Sequence, residues 1–100
     1  MKYKISVRGL IDLDEIWLYT FEEWSIEQAD IYINSILDKI EFLSNNPFQG
    51  DDYSNIKNGY YKSKINSHYI FYKVNSIENK IEVIRVLHEV RDIKSHLPKY

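Results

Sequence analysis

The chain reads as an α+β protein with a two-helix antiparallel hairpin packed on an antiparallel β-sheet, an N-terminal strand before the hairpin and a short C-terminal helix after the sheet. Three observations predict this. Residues 10–43 repeat their apolar side chains at steps of three and four. Residues 60–87 are rich in Tyr, Ile and Val in extended runs. The two stretches do not intermix. Helices and strands segregated along a chain pack as separate layers, so the hairpin is expected to cover one face of the sheet.

The elements follow in order. Tyr3, Ile5 and Val7 alternate with Lys4, Ser6 and Arg8, the period of a half-buried strand, and Gly9 breaks it. From Leu10 the spacing becomes helical. Leu10, Leu13, Trp17, Phe21 and Trp24 fall three or four apart among Asp12, Asp14, Glu15, Glu22 and Glu23, which predicts an amphipathic helix. Ser25-Ile26-Glu27-Gln28 has the form of a capping box, in which the Ser hydroxyl accepts from the N3 amide. Ala29, Ile33, Ile36, Ile40 and Leu43 then form the stripe of a second helix. It should stop near Asn45-Asn46, because Pro47 disfavours α geometry in the residue before it.

With so little chain between them, the two helices must lie side by side. Residues 47–59 are turn formers and read as a loop. Tyr60 to Ile65, His68 to Val74 and Ile81 to Leu87 are β-rich. Asn66-Ser67 and Asn75 to Asn79 are short enough to join them as hairpins, hence an antiparallel meander. Val90 to Leu97 reads as a polar helix ended by Pro98.

One hundred residues suit one domain, residues 1–100, with no internal repeat or linker. A chain this size buries about two-thirds of its extended surface, enough for one core without staples. There is no cysteine, which excludes disulfides and thiolate metal sites. The three histidines, His68, His88 and His96, are scattered, and no phosphate-binding or dinucleotide fingerprint occurs, so no metal and no cofactor is expected. No run approaches the ~20 apolar residues of a membrane span and the N-terminal segment has no apolar leader region, so a cytoplasmic protein without membrane contact is expected.

Net charge is −2, which gives no bulk attraction to nucleic acid, and no sequence-specific binding to it is expected. The charge is unevenly divided. Residues 1–50 hold four Lys/Arg against nine Asp/Glu, and residues 51–100 hold nine against six. The division either gives the surface a basic side for an acidic partner or reflects the greater tolerance of solvated helices for carboxylates.

Two sets of residues invite function. Arg85 lies within the otherwise apolar Val83-Ile84-x-Val86-Leu87, so it should be partly buried and paired, with Asp92 or Glu89 as the expected carboxylate. It is either a structural ion pair or a contact to a partner or phosphate. His88, at the strand end, either pins the following helix or serves as a general base. The second set is aromatic. Tyr60, Tyr61, Tyr69, Phe71 and Tyr72 crowd neighbouring strands, and alternation turns some of them away from the core face. They suit either a protein interface or a core completed by tyrosines.

A likeness covers most of the chain. It rests on Leu13-x-x-Ile16-Trp17-x-Tyr19, Trp24-Ser25, Gln28-Ala29, Asn46-Pro47-Phe48-x-Gly50, Gly59-Tyr60, His68-x-Ile70-x-Tyr72 and Arg85-Val86-Leu87-His88-x-x-x-Asp92. In this order and spacing the residues resemble the RelE/ParE superfamily of type II toxin–antitoxin toxins, and most closely its ParE branch. The resemblance implies a toxin that performs no chemistry, binds DNA gyrase and is masked by a cognate antitoxin. Arg85, His88, Arg91 and Lys94 would then be the candidates for target contact. Trp17, Tyr60, Tyr61, Tyr69 and Phe71 would be the candidates for antitoxin contact. One departure is Arg91 before Asp92, where ParE members commonly carry Met.

Relatives on the RelE branch cleave messenger RNA in the ribosome, and such chemistry here would have to draw on Lys62, Lys64, Arg85 and His88. It needs a base for the 2′-hydroxyl, cations for the crowded phosphorane and an acid for the leaving oxygen. A non-toxic interaction module that keeps the fold is the remaining alternative.

Overall fold

The computed structural model describes residues 2–55 and 58–90. The elements are β1 (Lys2–Ile5), α1 (Val7–Glu23), α2 (Ile26–Asn45), β2 (Asp51–Asp52), β3 (Tyr60–Ile65), β4 (His68–Asn75) and β5 (Lys80–His88). The expected last helix lies outside the described residues beyond Val90, as do Arg91 and Lys94.

The five strands form one sheet in the order β1-β5-β4-β3-β2. The meander β3-β4-β5 is antiparallel as expected, but β1 pairs parallel to β5, so the sheet is mixed. The reason is the parity of the connections. Two helices, then β2 and the meander, bring the chain into β5 in the same direction as β1. The loop expected over residues 47–59 also contributes the short edge strand β2, paired to Tyr61 and Lys62.

Helix α1 begins earlier than its spacing suggests, because Ser6 acts as N-cap. Its hydroxyl accepts from the Gly9 amide at 3.0 Å and donates to the Ile84 carbonyl at 2.7 Å, so one side chain caps α1 and ties it to β5. Gly9 is therefore not a strand breaker. It is buried in the first turn, where a Cβ would sit 3.0 Å from Ile5 and 3.5 Å from the Val83 carbonyl. This close approach sets the rotation of α1. Its buried side is Gly9, Asp12, Leu13 and Ile16, while Leu10, Phe21 and Trp24 of the expected stripe stand exposed. In α2 the expected stripe is the core side: Ala29, Ile36, Ile40 and Leu43 are fully buried, and Ser25 caps the helix by accepting from the Gln28 amide.

The sheet carries a core on each face. Leu13, Ile16, Ile36, Ile40 and Leu43 meet Ile70, Tyr72, Ile81, Val83 and Val86 on the helix face. On the other face Tyr60, Phe71 and Leu87 form a second cluster, flanked by Tyr53, Tyr69 and Ile84. Strict alternation would put Val83 and Val86 on opposite faces. A β-bulge resolves this: Phe71 pairs with Arg85 and Tyr72 with Val83, which leaves Ile84 as the inserted residue.

Tyr72 anchors the loop after α2. Its buried hydroxyl donates to the Pro47 carbonyl at 2.7 Å and accepts from the Gly50 amide at 3.1 Å. A Cβ on Gly50 would collide with that hydroxyl, which explains a glycine here. Burial pushes the Tyr72 phenol up to about 12.

Candidate functional site

Arg85 is the first sequence candidate to be placed. It is paired with Asp12 of α1, a carboxylate distant in sequence. Its Nε donates to Asp12 Oδ2 at 2.7 Å and its terminal nitrogen to Oδ1 at 2.9 Å, and the Val86 amide adds a bond to Oδ2 at 3.0 Å. Both side chains are buried, with 7% and 4% of their surfaces exposed. The hydrogen bonds to Asp12 raise the guanidinium's pKa further, so it stays charged. The carboxylate comes from 73 residues away, on the buried side of α1 that lies against β5. This pair braces helix to strand and is not an open contact.

Beside it lies an open groove of about 710 Å³ between the α1–α2 corner and the β3–β4 turn. Tyr19, Thr20 and Trp24 of α1, Gln28 and Tyr32 of α2, and His68 and His88 of the sheet are among the residues that line it. The register sets His68 directly opposite His88, with ring centroids 5.2 Å apart and nearly perpendicular. Tyr32 shares a 2.6 Å hydrogen bond with His68 Nδ1, and burial raises the pKa of its phenol. His88 Nδ1 accepts from the Val90 amide at 3.2 Å, so the neutral ring carries its proton on Nε2. This bond pins the chain as it leaves β5.

The opposite face of the sheet holds the other cations. Lys62 lies over Tyr53 at 4.9 Å and over Tyr69 at 4.8 Å, and Lys73 lies over Tyr60 at 5.7 Å. Lys64 pairs with Glu89 at 2.9 Å, which lowers the Glu89 pKa and raises that of the lysine.

The structure therefore disperses the residues singled out for chemistry. Arg85 is held by Asp12, His88 faces the groove, and Lys62 and Lys64 extend from the far face. It also corrects the aromatic set. Tyr60 and Phe71 are fully buried in the second cluster, because Tyr53, Tyr69 and their neighbours close over them, and they offer no contact surface. Tyr61 is half-buried, stacked on Tyr72 and edge-on to Phe48. Tyr69 is half-buried beneath Lys62. Trp17 stacks on Phe21 at 5.3 Å and donates to Asp30 at 2.9 Å.

Among the described residues the exposed rings at the groove are Tyr19 and Trp24, neither of them among the expected contact residues. A tryptophan amid Glu22, Glu23 and Glu27 was the available signal. Among the described residues no group of three or more His, Asp or Glu is placed to hold a metal, and no helix is long and apolar enough to cross a membrane.

The family match assigns this helical hairpin on a bulged sheet to a class, the small toxins of type II toxin–antitoxin systems. The family model described as "ParE toxin of type II toxin-antitoxin system, parDE" matches residues 3–93, and the chain belongs to that ParE toxin family. It is 36% identical over 95 residues to Toxin ParE1 of Caulobacter vibrioides, covering 95% of this chain and 96% of that one. To Toxin ParE1 of Mycobacterium tuberculosis it is 34% identical over 96 residues, covering 96% and 97%. The solved structure of the chromosomal ParDE system from P. aeruginosa shares the fold with a TM-score of 0.76, at 18% identity over 88% of this chain and 95% of that one.

Proposed function

We propose that this ParE-family toxin acts in the cytoplasm by binding DNA gyrase, without chemistry of its own, and that a cognate antitoxin neutralises it. The observation that carries the reading is the separation of the four residues that RNA cleavage would need together. A phosphoryl-transfer site requires its base, acid and cations to converge within hydrogen-bond reach of one phosphate. Here Arg85 is spent on Asp12, Lys62 lies between two tyrosine rings, Lys64 is paired to Glu89, and His88 opens on the other face. What remains accessible is an aromatic surface, and rings of this kind bury area in protein contacts.

Induced expression tests the proposal. Growth arrest with double-strand DNA breaks, intact messages and rescue by a co-expressed antitoxin is the expected result. Arrest with cleaved messages and unbroken DNA would overturn it in favour of a nuclease. Normal growth would leave only a module that keeps the fold.

A further inference from the structure

The β4–β5 ladder ends on two imidazoles. Register sets His68, the first residue of β4, against His88, the last of β5, with ring centroids 5.2 Å apart. Each ring makes a hydrogen bond through Nδ1, and the two partners differ in kind. Tyr32 shares a 2.6 Å bond with His68 Nδ1, and a hydroxyl can either donate or accept. That bond survives when His68 takes up a proton. The Val90 amide lies 3.2 Å from His88 Nδ1 and can only donate. It has an acceptor only while that nitrogen is bare, so a proton there breaks the bond. The contact has the form of an Asx-turn, with an imidazole where Asn or Asp usually accepts the amide two residues on.

Two further contacts hold the chain as it leaves β5. The Glu89 amide donates to the Ser67 carbonyl at 2.8 Å, and the Glu89 carboxylate pairs with Lys64 of β3 at 2.9 Å. The hydrogen bond from Lys64 lowers that carboxylate's pKa, so the pair stays charged down to about pH 5. Asp12, Glu15 and Tyr19 of α1 line the same groove as the imidazoles, and Tyr32 reaches it from α2. Asp12 is engaged by Arg85, and burial raises the pKa of the Tyr32 phenol. Of all these side-chain types, imidazole alone ordinarily changes charge between about pH 5 and 8.

We infer that His68 and His88 form a pH-sensitive latch that positions the chain leaving β5, closed while both rings are neutral and opened by acid. Like charges on facing rings oppose one another, so the two titrate as a coupled pair. The latch has a consequence for function because Arg91 and Lys94, the candidates for target contact, follow it in sequence. That consequence rests on the reading that this toxin binds gyrase: binding should weaken as pH falls.

Heteronuclear NMR of the full chain between about pH 5 and 8 tests the latch. At the alkaline end His88 should show the Nε2–H tautomer and Val90 a hydrogen-bonded amide. In acid the Val90 amide signal should move, in step with protonation of His88, to the position it holds in H88A. H88N keeps an acceptor that does not titrate, so its Val90 amide should stay bonded throughout. H68N removes the facing charge and should shift the transition to higher pH. In a gyrase supercoiling assay at about pH 6, the wild type should inhibit roughly three- to ten-fold less strongly than H88N, the worth of one hydrogen bond, and the two should match at about pH 8.

A Val90 amide that ignores the titration of His88 overturns the latch, as does a full transition retained in H88N or left in place by H68N. Equal inhibition by the wild type and H88N at about pH 6, in a toxin that inhibits at about pH 8, also overturns it. If no form inhibits gyrase at any pH, the gyrase reading falls, and the amide titration still decides the latch.

Discussion

The two faces of the sheet both mix aromatic rings with polar groups, and they do so in opposite ways. On the face away from the helices, Tyr60 and Phe71 are fully buried, and Lys62 is folded over Tyr53 and Tyr69, so cations and rings satisfy one another within the chain. On the helix side one buried pair, Asp12 with Arg85, does the internal work. The rings beyond it, Tyr19 and Trp24, are 66% and 76% exposed beside carboxylates that form no ion pair among the described residues. One face is closed by its own residues, and the other is left unfinished. A protein that acts by being bound needs an unfinished face.

Mutations can break this contrast. The largest effect is expected from Asp12→Ala, which strands a buried guanidinium and should cost about 3–5 kcal/mol in a denaturant titration. The joint replacement D12L/R85M should recover most of that loss, because an apolar pair of similar volume needs no partner. If D12A unfolds like the wild type, the pair does not hold the helix face. Next is Trp24→Ala. It should weaken a complex by about 2 kcal/mol, roughly thirty-fold, as a buried aromatic anchor does. The free chain's stability should move by less than about 0.5 kcal/mol, since the ring is exposed before binding. The reverse pattern would make Trp24 structural.

Tyr72→Phe should cost about 1–2 kcal/mol by leaving the Gly50 amide and the Pro47 carbonyl unsatisfied. It carries a pH signature as well. The Tyr72 phenol is pushed up to about 12 by burial. Its contribution is therefore fully present below about pH 10, where an unfolded tyrosine begins to ionise, and is lost as pH rises toward 12. The variant should lack that part of the alkaline loss. Smallest is Lys62→Ala, worth about 0.5–1 kcal/mol of cation–ring contact. Because the far face is closed, this change should leave any complex intact. A complex weakened by K62A more than by W24A would invert the comparison.

Much of the fold was legible because it depends on local patterns. The α2 stripe, the Ser25 cap and the two hairpins of the meander all follow from spacing within a few residues. What escaped depends on contacts between distant segments. Arg85 could be read as buried and in need of a carboxylate, but Asp12 could not be chosen from sequence. Their meeting requires α1 to lie against β5 with the rotation imposed by Gly9. Gly9 itself reads as a breaker because local rules cannot see that β5 lies against it.

Alternation likewise sends Tyr60 and Phe71 away from the helices, but it cannot say that the far face has a core of its own. The groove was least legible. Tyr32 and His68 lie 36 residues apart and converge only once α2 lies across the sheet. The one signal available was a tryptophan set among carboxylates, an apolar residue with no local reason to be there.

Hydrogen exchange of the toxin–antitoxin complex, compared with the free toxin, tests the account most directly. Slowed exchange concentrated in the second half of α1, the first half of α2 and the β3–β4 turn is the predicted footprint. The far-face segments of β3 and β4 that carry Lys62 and Tyr69 should exchange as they do in the free chain. Protection confined to those far-face segments, with the α1–α2 corner unchanged, would contradict it.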